Sequence, residues 1–150
     1  MHQLNILNSK EIKEILKLIE SQWGAKLSLD YAFLKNTEGK IFIINKDIGK
    51  IELEKLRINS MGMYFCGVDR KGVRLSIEGS QIVGPKASKN VVEIDEEQAK
   101  QWFKGEDLEI DENYSGFLII KCKNDFLGAG KYKDRKILNY TSKSRRVNII

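Results

Sequence analysis

Leu127-Gly128-Ala129-Gly130-Lys131 sets two glycines one residue apart inside a run that otherwise reads as strand, and the segment after it is basic. From residue 131 to 146 there are seven cations, Lys131, Lys133, Arg135, Lys136, Lys143, Arg145 and Arg146, against one acid, Asp134. Glycine lets a backbone take positive φ or come close to another group, where a Cβ would obstruct it. Cations interleaved with Tyr132, Ile137, Leu138 and Tyr140 suit a strand pair that turns apolar side chains inward and charge outward. The pattern predicts the closing edge of a β-sheet domain with a positive rim. On that reading Gly128 and Gly130 admit an RNA backbone, the cations hold its phosphates, and Tyr132 and Tyr140 offer ring faces to bases. Arg145-Arg146 favours this over lysines placed merely to protect an edge strand, because guanidinium forks onto phosphate.

The chain has 150 residues and a net charge of +5. That length suffices for one well-packed unit or two small ones without staples. The charge is segregated: residues 93–112 hold nine acids against two lysines, so an acidic stretch is expected to stand away from the basic end. Cys66 and Cys122 are far apart, each among apolar residues, and read as reduced core thiols of a cytoplasmic protein. Met1-His2-Gln3-Leu4-Asn5 lacks a basic leader region, and no apolar run reaches the roughly 18 residues of a membrane span.

In order along the chain, Ile12, Ile15, Leu16, Ile19 and Trp23 recur at helical spacing, which predicts an amphipathic helix over 9–23, capped by Asn8 or Ser9 and ended by Gly24. Residues 31–34 and 40–44 flank Asn36-Thr37-Glu38-Gly39 as a hairpin. A short helical pattern follows at 47–53. Residues 63–68 and 73–77 read as strands around an Asp69-Arg70-Lys71-Gly72 turn, with a helical turn at 80–83 stopped by Gly84-Pro85. Residues 90–94 form a strand, and Asp95 caps a helix whose apolar face is Ala99, Trp102 and Phe103. Strands are expected at 108–110, 116–123, 136–140 and 146–150, the second of them central because Phe117-Leu118-Ile119-Ile120 is apolar throughout. The fold class is α+β: a small α/β domain over 1–60, then a compact mixed β-barrel over 61–150.

No catalytic constellation assembles. His2 is the single histidine, no dinucleotide or Walker loop precedes a helix, and the adjacent acids at 96–97 and 106–107 suit solvent. The expectation is a chain without enzyme activity, cofactor or metal.

Phe103-Lys104-Gly105-Glu106-Asp107-Leu108, then Leu127-Gly128-Ala129-Gly130-Lys131, then Asn139 with Lys143 and Arg146, follow one another in an order and spacing that resemble the PUA-like RNA-binding domain closing Sun-family ribosomal RNA cytosine-5 methyltransferases. The resemblance covers residues 86–146. Ala129 stands where an aromatic is common, Leu138 where a lysine precedes the asparagine, and Ser142 where a proline is usual. The Pro-Cys nucleophile pair of that family's catalytic domain is absent, since Pro85 is followed by Lys86. In overall plan, a small α/β domain before a PUA domain, the chain also looks like the Nip-type ribosome-biogenesis factors. The resemblance implies an RNA-binding module for structured ribosomal or transfer RNA, working beside a separate methyltransferase or ribosome-assembly proteins. Two other readings stay open: a protein-interaction adaptor using the acidic face, and a small RNA-acting enzyme with a polar cleft between its halves.

Overall fold

The structure, a computed structural model, describes residues 4–45 and 62–140. The helical pattern expected at 47–53 and the strand expected at 146–150 lie outside these residues, as does His2.

Strand β1 (Asn5–Ile6) leads into helix α1 (Ser9–Trp23). Asn8 Oδ1 accepts from the Glu11 amide and Glu11 accepts in return from the Asn8 amide, so two donors that the first turn cannot satisfy are both paired. Gly24 closes the helix in the left-handed region, with φ of 68°. The apolar stripe of α1 buries Ile15, Ile19 and Trp23.

The expected hairpin is present as β2 (Tyr31–Lys35) and β3 (Lys40–Asn45). Asn36 Oδ1 builds its turn by accepting from the amides of Glu38 and Lys40. A second hairpin follows, β4 (Met63–Asp69) and β5 (Gly72–Leu75), and the five strands form one antiparallel sheet in chain order. The domain boundary expected at residue 60 therefore runs through this sheet, where Ile41 of β3 pairs with Cys66 of β4. The reason is burial: Phe65, Cys66, Val73 and Leu75 share a core with Ile19 and Trp23 of α1.

Strand β5 stops at Leu75, short of the expected Ile77, because Ser76 caps helix α2 (Ile77–Val83) by accepting from the Gly79 amide. A single 3₁₀ turn at Gly84–Lys86 ends this helix around Pro85.

The second sheet is built from β6 (Val91–Glu93), β7 (Leu108–Glu109), β8 (Phe117–Cys122), β9 (Asp125–Lys133) and β10 (Lys136–Asn139). Its order is β6-β8-β9-β10-β7, with β6 parallel to β8 and the other pairs antiparallel. Helix α3 (Glu96–Phe103) lies between β6 and β7 in sequence, opened by a reciprocal Asp95–Gln98 cap. It buries Ala99 and Trp102, but Phe103, expected on the same face, is 36% exposed. One residue on from Trp102 is a rotation of about 100°, enough to carry the ring off the stripe.

Strand β8 is interior, flanked by β6 and β9, although β9 and not β8 is the middle strand. Phe117 and Ile119 enter the first core, and Leu118 and Ile120 enter a second one with Val92, Trp102, Leu108 and Ile137. Alternate side chains leave a strand on opposite faces, so an unbroken apolar run means that both faces are covered. The architecture is α+β, helices on two sheets with one sheet curled into a half-barrel. Because Phe117, Ile119 and Ala129 of the second sheet join the core under α1, the two sheets are packed as one body.

Trp102 fastens the C-terminal part. It is 1% exposed, and its indole N–H donates to the Leu127 carbonyl at 3.2 Å. Ile120 pairs with Gly128 and Lys121 with Phe126, so Leu127 is the extra residue of a bulge and Gly128 takes φ of 132°. A Cβ on Gly130 would stand 2.8 Å from Trp102 Cη2 and 2.5 Å from the Leu138 carbonyl oxygen. Asn139 Nδ2 donates to the carbonyls of Trp102 at 2.8 Å and Glu106 at 3.1 Å. Gly130→Ala is expected to destabilise the fold by about 1–3 kcal/mol through overpacking, read as a lower urea midpoint at unchanged m.

Candidate nucleic-acid interface

Strands β9 and β10 are joined by Asp134 and Arg135, with φ of 51° and 64°. Two consecutive left-handed residues make the tight turn whose twist matches that of the strands, so pairing persists to the tip. Lys133 faces Lys136 and Tyr132 faces Ile137 across the hairpin, while Lys131 has Leu138 on one side and Phe117 of β8 on the other. Ile137 is fully buried in the second core and Tyr132 packs against it. By alternation, Lys131, Lys133 and Lys136 share the opposite, outer face. Arg135 is exposed at the tip.

A fourth lysine joins them from the first sheet. Lys71, in the turn between β4 and β5, lies beside Lys131, and its amino group is the foremost reason that the Lys131 pKa is lowered. Burial, the Coulombic field of Lys71 and that of Lys133 act in the same sense, against Asp69, which raises it. The sequence reads Arg70-Lys71-Gly72 chiefly as a hairpin tip and secondarily as a phosphate contact beside the basic tail; the packing of β5 against β9 is what carries Lys71 to the basic face. Among the described residues, none of Lys71, Lys131, Lys133, Arg135 or Lys136 makes an ion pair. The ion pairs found there are Lys100 with Glu97 and Lys123 with Glu96, around helix α3.

Three of the expected contact residues lie elsewhere. Gly128 and Gly130 are buried, Gly128 against Ile77 and the Trp102 indole and Gly130 against Leu138, Ile137 and the same indole, so they form a packing surface rather than a ligand one. Tyr132 is turned to the core side, edge-on to Tyr114 at 6.0 Å between ring centroids. Lys143, Arg145 and Arg146 lie outside the described residues. Nor do the acids stand apart from the cations: β7 pairs with β10, setting Glu109 opposite Lys136, and Glu109, Asp111, Asp134, Arg135 and Lys136 line one concavity at the hairpin tip. Among the described residues no His, Cys, Asp and Glu side chains gather to hold a metal, and no helix is long and apolar enough to cross a membrane.

The three stretches that carry the family resemblance, 103–108, 127–131 and Asn139, meet around Trp102. Residues 89–147 match the family described as the PUA domain of the methyltransferase RsmF. This part of the chain is a PUA-like domain. The chain is also similar to two proteins named ribosomal RNA small subunit methyltransferase F. It is 28% identical to that of Aeromonas salmonicida over 134 residues, 89% of this chain and 27% of the relative. It is 24% identical to that of Vibrio cholerae (strain M66-2) over 137 residues, 90% of this chain and 28% of the relative. The chain thus spans little more than a quarter of the length of these relatives, and the matched stretch takes in most of the first sheet as well as the PUA-like domain. Ala129 explains one departure from the family pattern: it is buried in the first core, where a large ring would have to displace Phe117 and Ile119.

Lowering of the Lys131 pKa means that the folded state is penalised while this lysine is protonated, and the penalty is relieved as pH rises through its lowered value. Lys71→Gln should move the Lys131 titration upward, measured by NMR of the lysine Nζ. The cysteines give a second check. Burial pushes the Cys66 thiol up to about 12, whereas Cys122 is half-buried. A thiol reagent at neutral pH should therefore modify Cys122 in the native chain and reach Cys66 only after denaturation.

Proposed function

We propose that this chain binds structured RNA, ribosomal RNA foremost, through the outer face of the β9–β10 hairpin, and acts in RNA maturation or modification without catalysis of its own. The observation that carries this reading is the convergence of Lys71, Lys131, Lys133 and Lys136, from two different sheets, on one side of the molecule with no ion pair to a described carboxylate. Like charges held together are unfavourable in the free chain and become favourable when phosphate lies between them. The names of the relatives support the choice of ribosomal RNA and of modification as the setting. In that setting the PUA-like domain supplies affinity and orientation, and the methyl transfer belongs to a methyltransferase domain or partner that works with it.

The test is affinity against salt, by fluorescence anisotropy with a small-subunit ribosomal RNA hairpin. If the four lysines each neutralise a phosphate of the hairpin's single-stranded loop, a slope of about −0.7 per contact makes affinity fall roughly fifty-fold between about 50 and 200 mM salt. Lys131→Gln and Lys133→Gln should each make the slope shallower by about 0.7 and weaken all RNAs to a similar degree. A flat salt response, or capture of a protein partner with no retention of RNA, would favour the adaptor reading instead.

A further inference from the structure

A row of alternating cations and rings leads away from the lysines onto the first sheet. Lys40, Gly67 and Arg74 are lateral partners on β3, β4 and β5. Gly67 has no side chain, and the Tyr64 hydroxyl comes over it: a Cβ there would lie 3.4 Å from Tyr64 Oη and 3.9 Å from Arg74 Nη2. The Lys40 ammonium stands 5.7 Å from the centroid of the Tyr64 ring. On the other side, Arg74 Cζ lies 4.9 Å from the centroid of the Tyr140 ring, directly after β10, and Tyr140 is 45% exposed. Among the described residues Arg74 makes no ion pair, so its guanidinium is held by the Tyr140 ring and the Tyr64 hydroxyl rather than by a carboxylate.

Tyr140 and Leu138 continue the alternation that puts Lys131, Lys133 and Lys136 outside, while Asn139 turns inward to Trp102. The Arg74–Tyr140 stack therefore adjoins the lysine face. Lysines can hold phosphates but cannot grip bases; a guanidinium plane and an exposed phenol ring present flat surfaces on which an unpaired base stacks.

We propose that the RNA-binding surface continues from the PUA-like domain onto the first sheet, where Arg74 and Tyr140, backed by Tyr64, form a stacking step for an unpaired nucleotide beside the phosphates held by the lysines. This inference rests on the RNA reading above and narrows it: the preferred ligand is a helix with an adjoining single-stranded segment.

Two probes separate the two claims, a blunt RNA hairpin and the same hairpin carrying a single-stranded overhang, each titrated by anisotropy against the full chain. The unmodified chain should bind the overhang probe about tenfold more tightly, as one stacked base allows. Arg74→Lys, which keeps the charge and removes the plane, and Tyr140→Leu should each bring the overhang affinity down to that of the blunt probe and leave blunt binding within about twofold. Lys131→Gln should weaken both probes together. Equal affinity of the unmodified chain for the two probes would overturn the stacking step while leaving the RNA reading standing. So would Arg74→Lys and Tyr140→Leu weakening both probes alike, which would make the stack a staple between sheets. Binding to neither probe would remove the RNA reading and this inference with it.

Discussion

A buried indole needs a flat, side-chain-free surface on which to lie and an acceptor for its N–H, and strand β9 supplies both to Trp102. Gly128 and Gly130 clear the surface, and the bulge at Leu127 offers the carbonyl. Around this contact the end of α3, the turn through Glu106 and Asp107, and strand β10 are tied by Asn139, whose side-chain amide donates to the carbonyls of Trp102 and Glu106 and whose backbone N–H donates to the Asp107 carboxylate. The hairpin β9–β10 is thereby set at a fixed angle to α3, and its lysines acquire a fixed outer face. The glycines govern the basic surface indirectly, through the ring they accommodate.

Helix α1 is bonded both to the first sheet and to the segment that enters the second. The Gln22 side chain at the end of α1 makes two hydrogen bonds with the Val73 backbone, behaving as a short extra strand on the edge of β5. The amides of Ser88 and Lys89 close over the Trp23 carbonyl, which α1 cannot pair itself. These bonds, together with Phe117, Ile119 and Ala129 in the core under α1, fix the β4–β5 turn relative to β9. Lys71 meets Lys131 for that reason, and Arg74 meets Tyr140. The matches to relatives likewise extend across most of the chain and not over the PUA-like domain alone.

Electrostatics and packing act in opposite directions here. Lys133 opposite Lys136, and Lys71 against Lys131, place like charges at positions where opposite charges would stabilise a sheet. Glu109 and Asp111 border only the tip of the hairpin. The segregation of charge along the chain is thus preserved within the second sheet as a boundary between neighbouring strands, not as two remote poles.

Much was legible in the residues themselves. The 3.6-residue period of 9–23, the Asn8 and Asp95 caps, the turn chemistry of 36–39 and the apolar run 117–120 each declared their element, because helix caps, turns and alternation depend on neighbours in sequence. The same local logic placed the lysines of β9 and β10 on one side. It could not say what came close to Gly128 and Gly130, since the indole that does so is about 25 residues away in sequence, and a glycine that makes room for a ligand looks identical to one that makes room for a ring. Nor could it join 63–75 to the first sheet, or bring Lys71 and Arg74 to the basic face. Strand partners and surface neighbours are chosen by which apolar faces can be buried together, and that choice exists only once the whole chain has folded.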